Sequence, residues 1–128
     1  MAQFDHERLD AYQVAIDFVA FANDVVEHLP RGRGHLAEQL QRASLSVALN
    51  IAEGAGEFSR KDKNRFYRMA LRSATECAAI LDVCRRLDLA QAEVVSSGRD
   101  LLLTIVSMLT RLVLRDEEPG TGTGTSQK

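Results

Sequence analysis

Apolar residues recur at helical spacing along four stretches of this chain, and this periodicity limits its fold more than any other feature. The stretches cover residues 7–28, 36–52, 59–87 and 92–115, and only short Gly-, Pro- or Asp-containing breaks separate them. Apolar positions three and four residues apart are typical of helices that pack on one face. Because four helices with short connections pack antiparallel, the sequence predicts an all-α, up-down-up-down four-helix bundle.

Length and composition agree with a single helical domain. The chain has 128 residues, of which 45% are hydrophobic and 5% aromatic, with two prolines. Such a length encloses a core without disulfides or metals, and aliphatic residues favour helices. We predict a bundle over residues 1–116 and a disordered Gly/Thr-rich tail over residues 117–128. The sequence contains no secretion signal and no apolar run that would span a membrane, so we expect a cytoplasmic location.

Helix one carries more apolar surface than one buried face requires. Its predicted core stripe is Leu9, Tyr12, Ile16, Val19 and Val26. A second stripe, with two outward-facing leucines of helix two, is predicted to contact other subunits: Val14, Phe18, Phe21, Val25, Leu45 and Leu49. In a monomer these side chains would leave an apolar patch of roughly several hundred Å², which is at the limit for soluble monomers. The pattern therefore predicts a homo-oligomer.

The other three helices each show one core face. In helix two it comprises Leu36, Leu40, Ala43, Val47 and Ile51. In helix three it comprises Phe66, Met69, Ala70, Ser73, Cys77, Ile80, Cys84 and Leu87. In helix four it comprises Val94, Leu101, Leu102, Ile105, Met108, Leu109, Leu112 and Val113. Ser59 followed by Asp62 is a helix-capping pattern, so we expect helix three to begin there.

No combination of residues is arranged for covalent chemistry. A di-metal carboxylate centre in a bundle needs Glu-x-x-His pairs, and no Glu here is followed by His at that spacing. His6, His28 and His35 fall near predicted helix ends. Cys77 and Cys84 lie on the predicted core stripe, where a thiol is inert. We therefore expect a protein that is not an enzyme and that has no cofactor and no metal.

A group of polar residues borders the predicted core: Arg42, Asn50, Glu53 and Glu76. Half-buried polar side chains in a bundle must be hydrogen-bonded. Two interpretations stay open at this point. The group forms a network that fixes helix register or an interface, or it forms the site of a small ligand or an enzyme.

Positive charge is concentrated in the third quarter of the chain, although the formal net charge is −2. Six cations within thirteen residues form the candidate nucleic-acid-binding set: Arg60, Lys61, Lys63, Arg65, Arg68 and Arg72. Four of them have the spacing of one helix face, which we call the basic stripe: Lys61, Arg65, Arg68 and Arg72. The stripe is either a solvated face, with Arg72 paired to Glu76, or a surface for phosphates. With two Tyr and no Trp, little base stacking is expected.

Three motifs resemble the bacterial four-helix bundle family, some of whose members are encoded in intervening sequences of large-subunit ribosomal RNA genes. The first runs from Gln39 to Gly54 and ends in Asn-Ile-Ala-Glu-Gly; the others are Phe66-Tyr-Arg-Met-Ala and Ser73-Ala-Thr-Glu. The resemblance covers about residues 4–114. It implies a ring-like homopentamer. The resemblance also extends to a relative of the family, the accessory variability protein of diversity-generating retroelements. That relative works with a reverse transcriptase and nucleic acid. It is strongly basic, unlike this chain.

These patterns together predict a non-enzymatic, self-assembling helical scaffold. Its expected partners are further copies of the chain, and RNA, DNA or a nucleic-acid-processing protein such as a reverse transcriptase, bound through the basic stripe. One alternative is a purely structural or protein-partner module without affinity for nucleic acid. The other is a small-ligand protein or enzyme that uses the polar group of Arg42, Asn50, Glu53 and Glu76.

Overall fold

Four α-helices follow one another in the computed structural model, which describes residues 2–117 and side chains as far as Val113. They are α1 (Asp10–Glu27), α2 (Gly34–Ala55), α3 (Arg60–Arg86) and α4 (Ala92–Glu117), and a short 3-10 helix (Asp5–Arg8) precedes them. Each helix packs on the next, and α1 closes the bundle against α4. The predicted antiparallel four-helix bundle is confirmed. The predicted disordered tail lies outside the described residues from residue 118 onward.

The ends of α3 are fixed by two capping arrangements. At its start, the Ser59 hydroxyl accepts a hydrogen bond of 3.0 Å from the backbone N–H of Asp62, as the sequence predicts. At its end, Asp88 adopts a left-handed conformation with φ of 59°. The N–H of Leu89 then reaches the carbonyl of Cys84 at 2.8 Å, and the N–H of Asp88 reaches that of Arg85 at 3.1 Å. This pattern satisfies the last carbonyls of the helix and turns the chain towards α4.

Helix α2 continues three residues beyond the predicted end because Gly54 lies inside the helix and packs against α3. A Cβ atom on Gly54 would lie 2.7 Å from a ring carbon of Tyr67 and 3.2 Å from the carbonyl oxygen of Lys63. A similar close approach occurs in α4, where a Cβ atom on Gly98 would lie 2.5 Å from the ring of Phe21. Both glycines therefore allow helices to approach more closely than a side chain would permit.

The predicted core face of α2 is confirmed, whereas the core face of α1 is not the predicted one. The buried side chains of α1 are Ala11, Ala15, Phe18, Ala22 and Val25. Ile16, which we predicted to be buried, is 41% exposed, and the rest of the predicted stripe is only partly buried. The alanines explain the difference, because a face of small residues lets α1 lie close to its neighbours. The helix is thereby rotated relative to the predicted orientation.

This rotation corrects the predicted subunit interface. Phe18 and Val25 belong to the core of a single chain and leave no surface for another subunit. Val14 and Phe21 are half-buried against that core. Leu45 and Leu49 do face solvent, with 48% and 56% of their surface exposed. Of the six residues predicted to contact other subunits, only Leu45 and Leu49 are therefore largely exposed.

Smaller corrections apply to α3 and α4. Met69, Leu87 and Val94 are exposed, although we predicted them to be in the core. The positions that are buried instead are Tyr67, Ala74, Leu81 and Val95. In α3 the change again reflects a face rich in small residues, which turns towards the centre of the bundle. No helix in the described part of the chain combines the length and hydropathy needed to cross a bilayer.

Candidate functional site

The four residues of the basic stripe lie on the outer surface of α3. All four side chains are exposed, whereas Ala70, Cys77 and Leu81 of the same helix are buried on the opposite side. With a rise of 1.5 Å per residue, the stripe extends about 16 Å along the helix axis. The row of positive charge is bordered by acidic residues, because Asp62 follows Lys61 and Glu76 lies one turn beyond Arg72 in the same groove. Arg60, at the edge of this row, is exposed as well.

The guanidinium of Arg65 is supported by the aromatic ring of the next residue. Its central carbon lies 4.6 Å from the centroid of the Phe66 ring, which is partly buried. A cation over an aromatic face at this distance is held by the electron-rich ring. Arg65 is therefore a partly oriented cation on the outer surface of α3.

Lys63 has a different role from the other cations, which corrects its assignment to the nucleic-acid-binding set. Its ammonium group donates hydrogen bonds to the carbonyls of Ala55 at 2.9 Å and Gly54 at 3.4 Å. These carbonyls belong to the last turn of α2, where a positive charge is favourable. The residue is only partly exposed. Lys63 thus joins the end of α2 to the start of α3 and faces away from the stripe.

One exposed aromatic residue was not among the predicted site residues. Phe58 lies in the loop between α2 and α3, just before the capping residue Ser59, and its side chain is fully exposed. An apolar residue at this position often packs on the fourth residue of the helix. Here that residue is Lys63, so the expected apolar partner is missing. This mismatch was the sequence signal that could have identified Phe58 as a surface ring.

Two members of the predicted polar group meet at the seam between α2 and α3. The amide nitrogen of Asn50 donates to the backbone carbonyl and the hydroxyl of Ser46, at 2.9 and 3.0 Å. The hydroxyl of Ser46 lies 2.8 Å from that of Ser73 on α3. This chain of hydrogen bonds joins the two helices. Glu76 lies beside it, in an open groove of about 350 Å³ that also includes Arg72 and Met69.

The other two members of the polar group lie outside this groove. Arg42 and Glu53 are exposed on α2 and do not line it. Among the described residues, no ion pair joins Arg72 to Glu76. The arrangement agrees with a network that fixes the pairing of α2 with α3. The four residues are not gathered into one pocket.

The side chains with catalytic potential are placed as the sequence predicts. Both cysteines are buried and unpaired. Burial, with a smaller contribution from the charge of Glu76, raises the pKa of the Cys77 thiol to about 12, and burial also raises the pKa of Cys84. Both thiols therefore stay protonated near neutral pH. Within residues 2–117, no group of three or more His, Cys, Asp or Glu side chains is close enough to hold a metal ion.

Fold and surface together define a small antiparallel helical bundle with one cationic helix face. The sequence matches the 23S rRNA-intervening sequence protein family over residues 7–111, which is most of its length. The chain belongs to this family. No curated protein matches it.

A solved structure has a similar fold. It is a protein of unknown function from the S23 ribosomal protein family of Bacteroides thetaiotaomicron. The two chains share 20% sequence identity with a TM-score of 0.75, and the match covers 80% of this chain and 97% of the other. At this level of identity the likeness concerns the fold alone.

Proposed function

We propose that this protein is a non-enzymatic scaffold that binds the phosphate backbone of nucleic acid through the basic stripe of α3. The observation that carries the proposal is the row of exposed cations at positions 61, 65, 68 and 72, on a chain whose formal net charge is −2. Lys61 of the stripe and the neighbouring Arg60 lie in the first turn of α3, where positive charge opposes the helix dipole. An anionic partner would compensate this cost.

Phosphates fit the stripe better than a single acidic side chain would. Its length of about 16 Å corresponds to roughly five phosphates of one strand at 3.4 Å per nucleotide. The cations project from one rigid helix, so a continuous backbone can contact several of them together. Contacts of this kind position a nucleic acid without reading its bases. The proposed binding is therefore tolerant of sequence and weakens as salt is added.

We further propose that the scaffold works as an assembly of several copies. One subunit offers only four or five cations, which is few for binding at physiological salt. In an assembly the stripe is repeated, so several weak sites can act on one strand and raise the overall affinity. The exposed Leu45 and Leu49 on α2 support such self-association. Five subunits is the number that the family resemblance suggests.

Fluorescence anisotropy with labelled RNA and DNA at about 50 and 200 mM salt tests the proposed binding. Four single-strand contacts at about 0.7 each predict a slope near −3, or about a 50-fold loss of affinity over this range. The test variant is Lys61→Glu/Arg65→Glu, because acidic residues near a helix start leave folding intact. Its matched control is Arg31→Glu/Arg99→Glu, which changes the net charge equally away from the stripe.

The expected result is that the stripe variant loses binding and the control variant keeps most of it. Equal losses in both variants would mean that net charge alone attracts the nucleic acid. Absence of binding by the unmodified protein at the lower salt would reject the function. The stripe would then be a solvated face, and a scaffold for protein partners would be the better description.

A further inference from the structure

An exposed aromatic ring lies in the loop immediately before α3, the helix that carries the basic stripe. Phe58 is separated from Lys61, the first cation of the stripe, by two residues, and its ring is entirely accessible to solvent. Burying a phenylalanine side chain is worth about 1.5–3 kcal/mol relative to leaving it exposed. No residue in the described part of the chain covers this ring. A partner that stacks on the ring would bury it and recover much of this free energy.

The loop that carries Phe58 is ordered on both sides of the ring. Before it, the N–H of Gly56 reaches the carbonyl of Glu53 at 3.2 Å, and the N–H of Glu57 reaches that of Gly54 at 3.2 Å. After it, the Ser59 hydroxyl caps α3. The backbone that positions the ring is thus tied to the ends of two helices. Little conformational entropy would be lost from the loop when a ligand binds.

The charges near Phe58 indicate what kind of ligand would use it. The ring precedes the row of cations formed by Lys61, Arg65 and the rest of the stripe, so a ligand that reaches both must combine a flat apolar face with negative charge. A nucleotide with an unpaired base has this combination. Aromatic stacking accepts every base because each has a π face. Bases inside a duplex are already stacked on their neighbours and are not available to the ring.

We propose that Phe58 is a stacking platform for an unpaired base and that it makes the site selective for single-stranded nucleic acid. This inference rests on the proposed function, because the stripe supplies the phosphate contacts. It revises the expectation of little stacking, since one well-placed ring suffices. Binding would still tolerate any base sequence, because the ring can stack on every base.

The experiment compares a labelled single strand of about twelve nucleotides with the same strand lacking bases at its central positions and with a duplex of the same sequence. The variants are Phe58→Ala and Phe58→Trp. The control is Phe4→Ala, which removes another exposed ring, on the segment before α1. Stacking on one ring contributes about 5- to 150-fold to affinity. We therefore expect Phe58→Ala to bind the intact strand at least about 5-fold more weakly than the unmodified protein does.

Further results are expected if the ring stacks on a base. Binding of the duplex should change less than about 2-fold in Phe58→Ala, because its bases are already stacked on their neighbours. The strand without central bases should lose less affinity than the intact strand, because only its terminal bases can reach the ring. The salt dependence should stay the same, since no phosphate contact is removed. Phe58→Trp and Phe4→Ala should bind like the unmodified protein or better. A strand containing 2-aminopurine should show fluorescence quenching that Phe58→Ala abolishes.

The outcomes separate this inference from the function on which it rests. If the single strand binds with the expected salt dependence but Phe58→Ala has no effect, stacking is wrong and the phosphate-binding function stands. If Phe58→Ala weakens the duplex and the strand without central bases equally, the ring acts in some other way and stacking is again rejected. If no nucleic acid binds, both proposals fail. In that case Phe58 would instead suit a hydrophobic contact with a protein.

Discussion

The Asn-Ile-Ala-Glu-Gly motif has a physical explanation at the level of single residues. Asn50 holds Ser46 in place, and Ser46 in turn reaches Ser73 on the neighbouring helix. Ile51 is fully buried in the core. Gly54 gives the Tyr67 ring the space that it occupies beside α2. Asn50 and Gly54 therefore contribute to the contact between α2 and α3, and Ile51 contributes to the core.

Replacing Gly54 by alanine should destabilise the protein, although alanine is the better helix former. The gain in helix propensity is about 1 kcal/mol. Against it, the new methyl group would meet Tyr67 at 2.7 Å and the Lys63 carbonyl at 3.2 Å. Because Tyr67 is almost completely buried, relieving this overlap should cost about 1–3 kcal/mol. We expect a net loss of about 1 kcal/mol, measured by urea denaturation followed with circular dichroism.

Gly34 provides the matched control for this substitution. It is also a helical glycine of α2, but an added Cβ atom would find nothing within 4 Å. Gly34→Ala should leave the stability unchanged or raise it slightly. If Gly54→Ala proved as stable as the control, Gly54 would have no packing role, and its place in the motif would need another explanation.

The helices differ in how well their orientation could be predicted, and the reason is how the apolar residues are distributed around each one. Helix α2 has one long stripe of large aliphatic residues and only Leu45 and Leu49 on the opposite face, so its buried face was predicted correctly. Helix α1 has two apolar stripes with alanines between them, and periodicity alone does not choose among these faces. The choice depends on how closely the neighbouring helices approach, which is a property of the folded bundle.

The same distinction applies to the candidate site. The stripe could be predicted because its four members share one face of a regular helix. Lys63 differs from Lys61 by two residues, which is about 200° around the helix, so its spacing already separated it from the stripe. Its bonds to the end of α2 could not be predicted, because they depend on the path of the loop between the helices. Phe58 was overlooked, although the lack of an apolar partner at position 63 was a signal already present in the sequence.

Substituting Lys63 by methionine should weaken the connection between α2 and α3. The variant loses the hydrogen bond of 2.9 Å to the Ala55 carbonyl while it keeps a side chain of similar length. For a partly exposed charged donor we expect a loss of about 1 kcal/mol in the free energy of unfolding. Lys61→Met on the exposed stripe is the control, and it should change stability by less than about 0.5 kcal/mol.

The two lysine variants should affect nucleic-acid binding in the opposite order to stability, with the larger effect from Lys61→Met. Lys61→Met should reduce the salt dependence of binding by about one phosphate contact, whereas Lys63→Met should leave it unchanged. A loss of stability in Lys61→Met equal to that in Lys63→Met would contradict the structural role of Lys63. A change in salt dependence in Lys63→Met would return this residue to the binding surface.

At the scale of the whole molecule, the outward-facing leucines of α2 are the strongest indication of self-association. Leu45 and Leu49 are one helical turn apart, and each exposes about half of its surface. Single exposed apolar residues are common on monomers, but adjacent ones on one rigid helix form a patch that another subunit can cover. Burial of such a patch is favourable by about 25 cal/mol per Å².

We expect the protein to sediment as a species larger than the 14.2 kDa chain at micromolar concentration. Leu45→Glu/Leu49→Glu should shift sedimentation equilibrium towards the monomer and leave the helical content unchanged, because both side chains lie outside the core.

Phe18→Glu should behave differently. Its side chain is completely buried within one chain, so a charge there should unfold the bundle rather than separate the subunits. Leu103→Glu, at a leucine of α4 that is 57% exposed, provides the control for location. If Leu103→Glu dissociated the assembly and the α2 variant did not, the interface would lie on α4. A monomeric unmodified protein at these concentrations would refute self-association and remove the gain in affinity that repeated stripes would give.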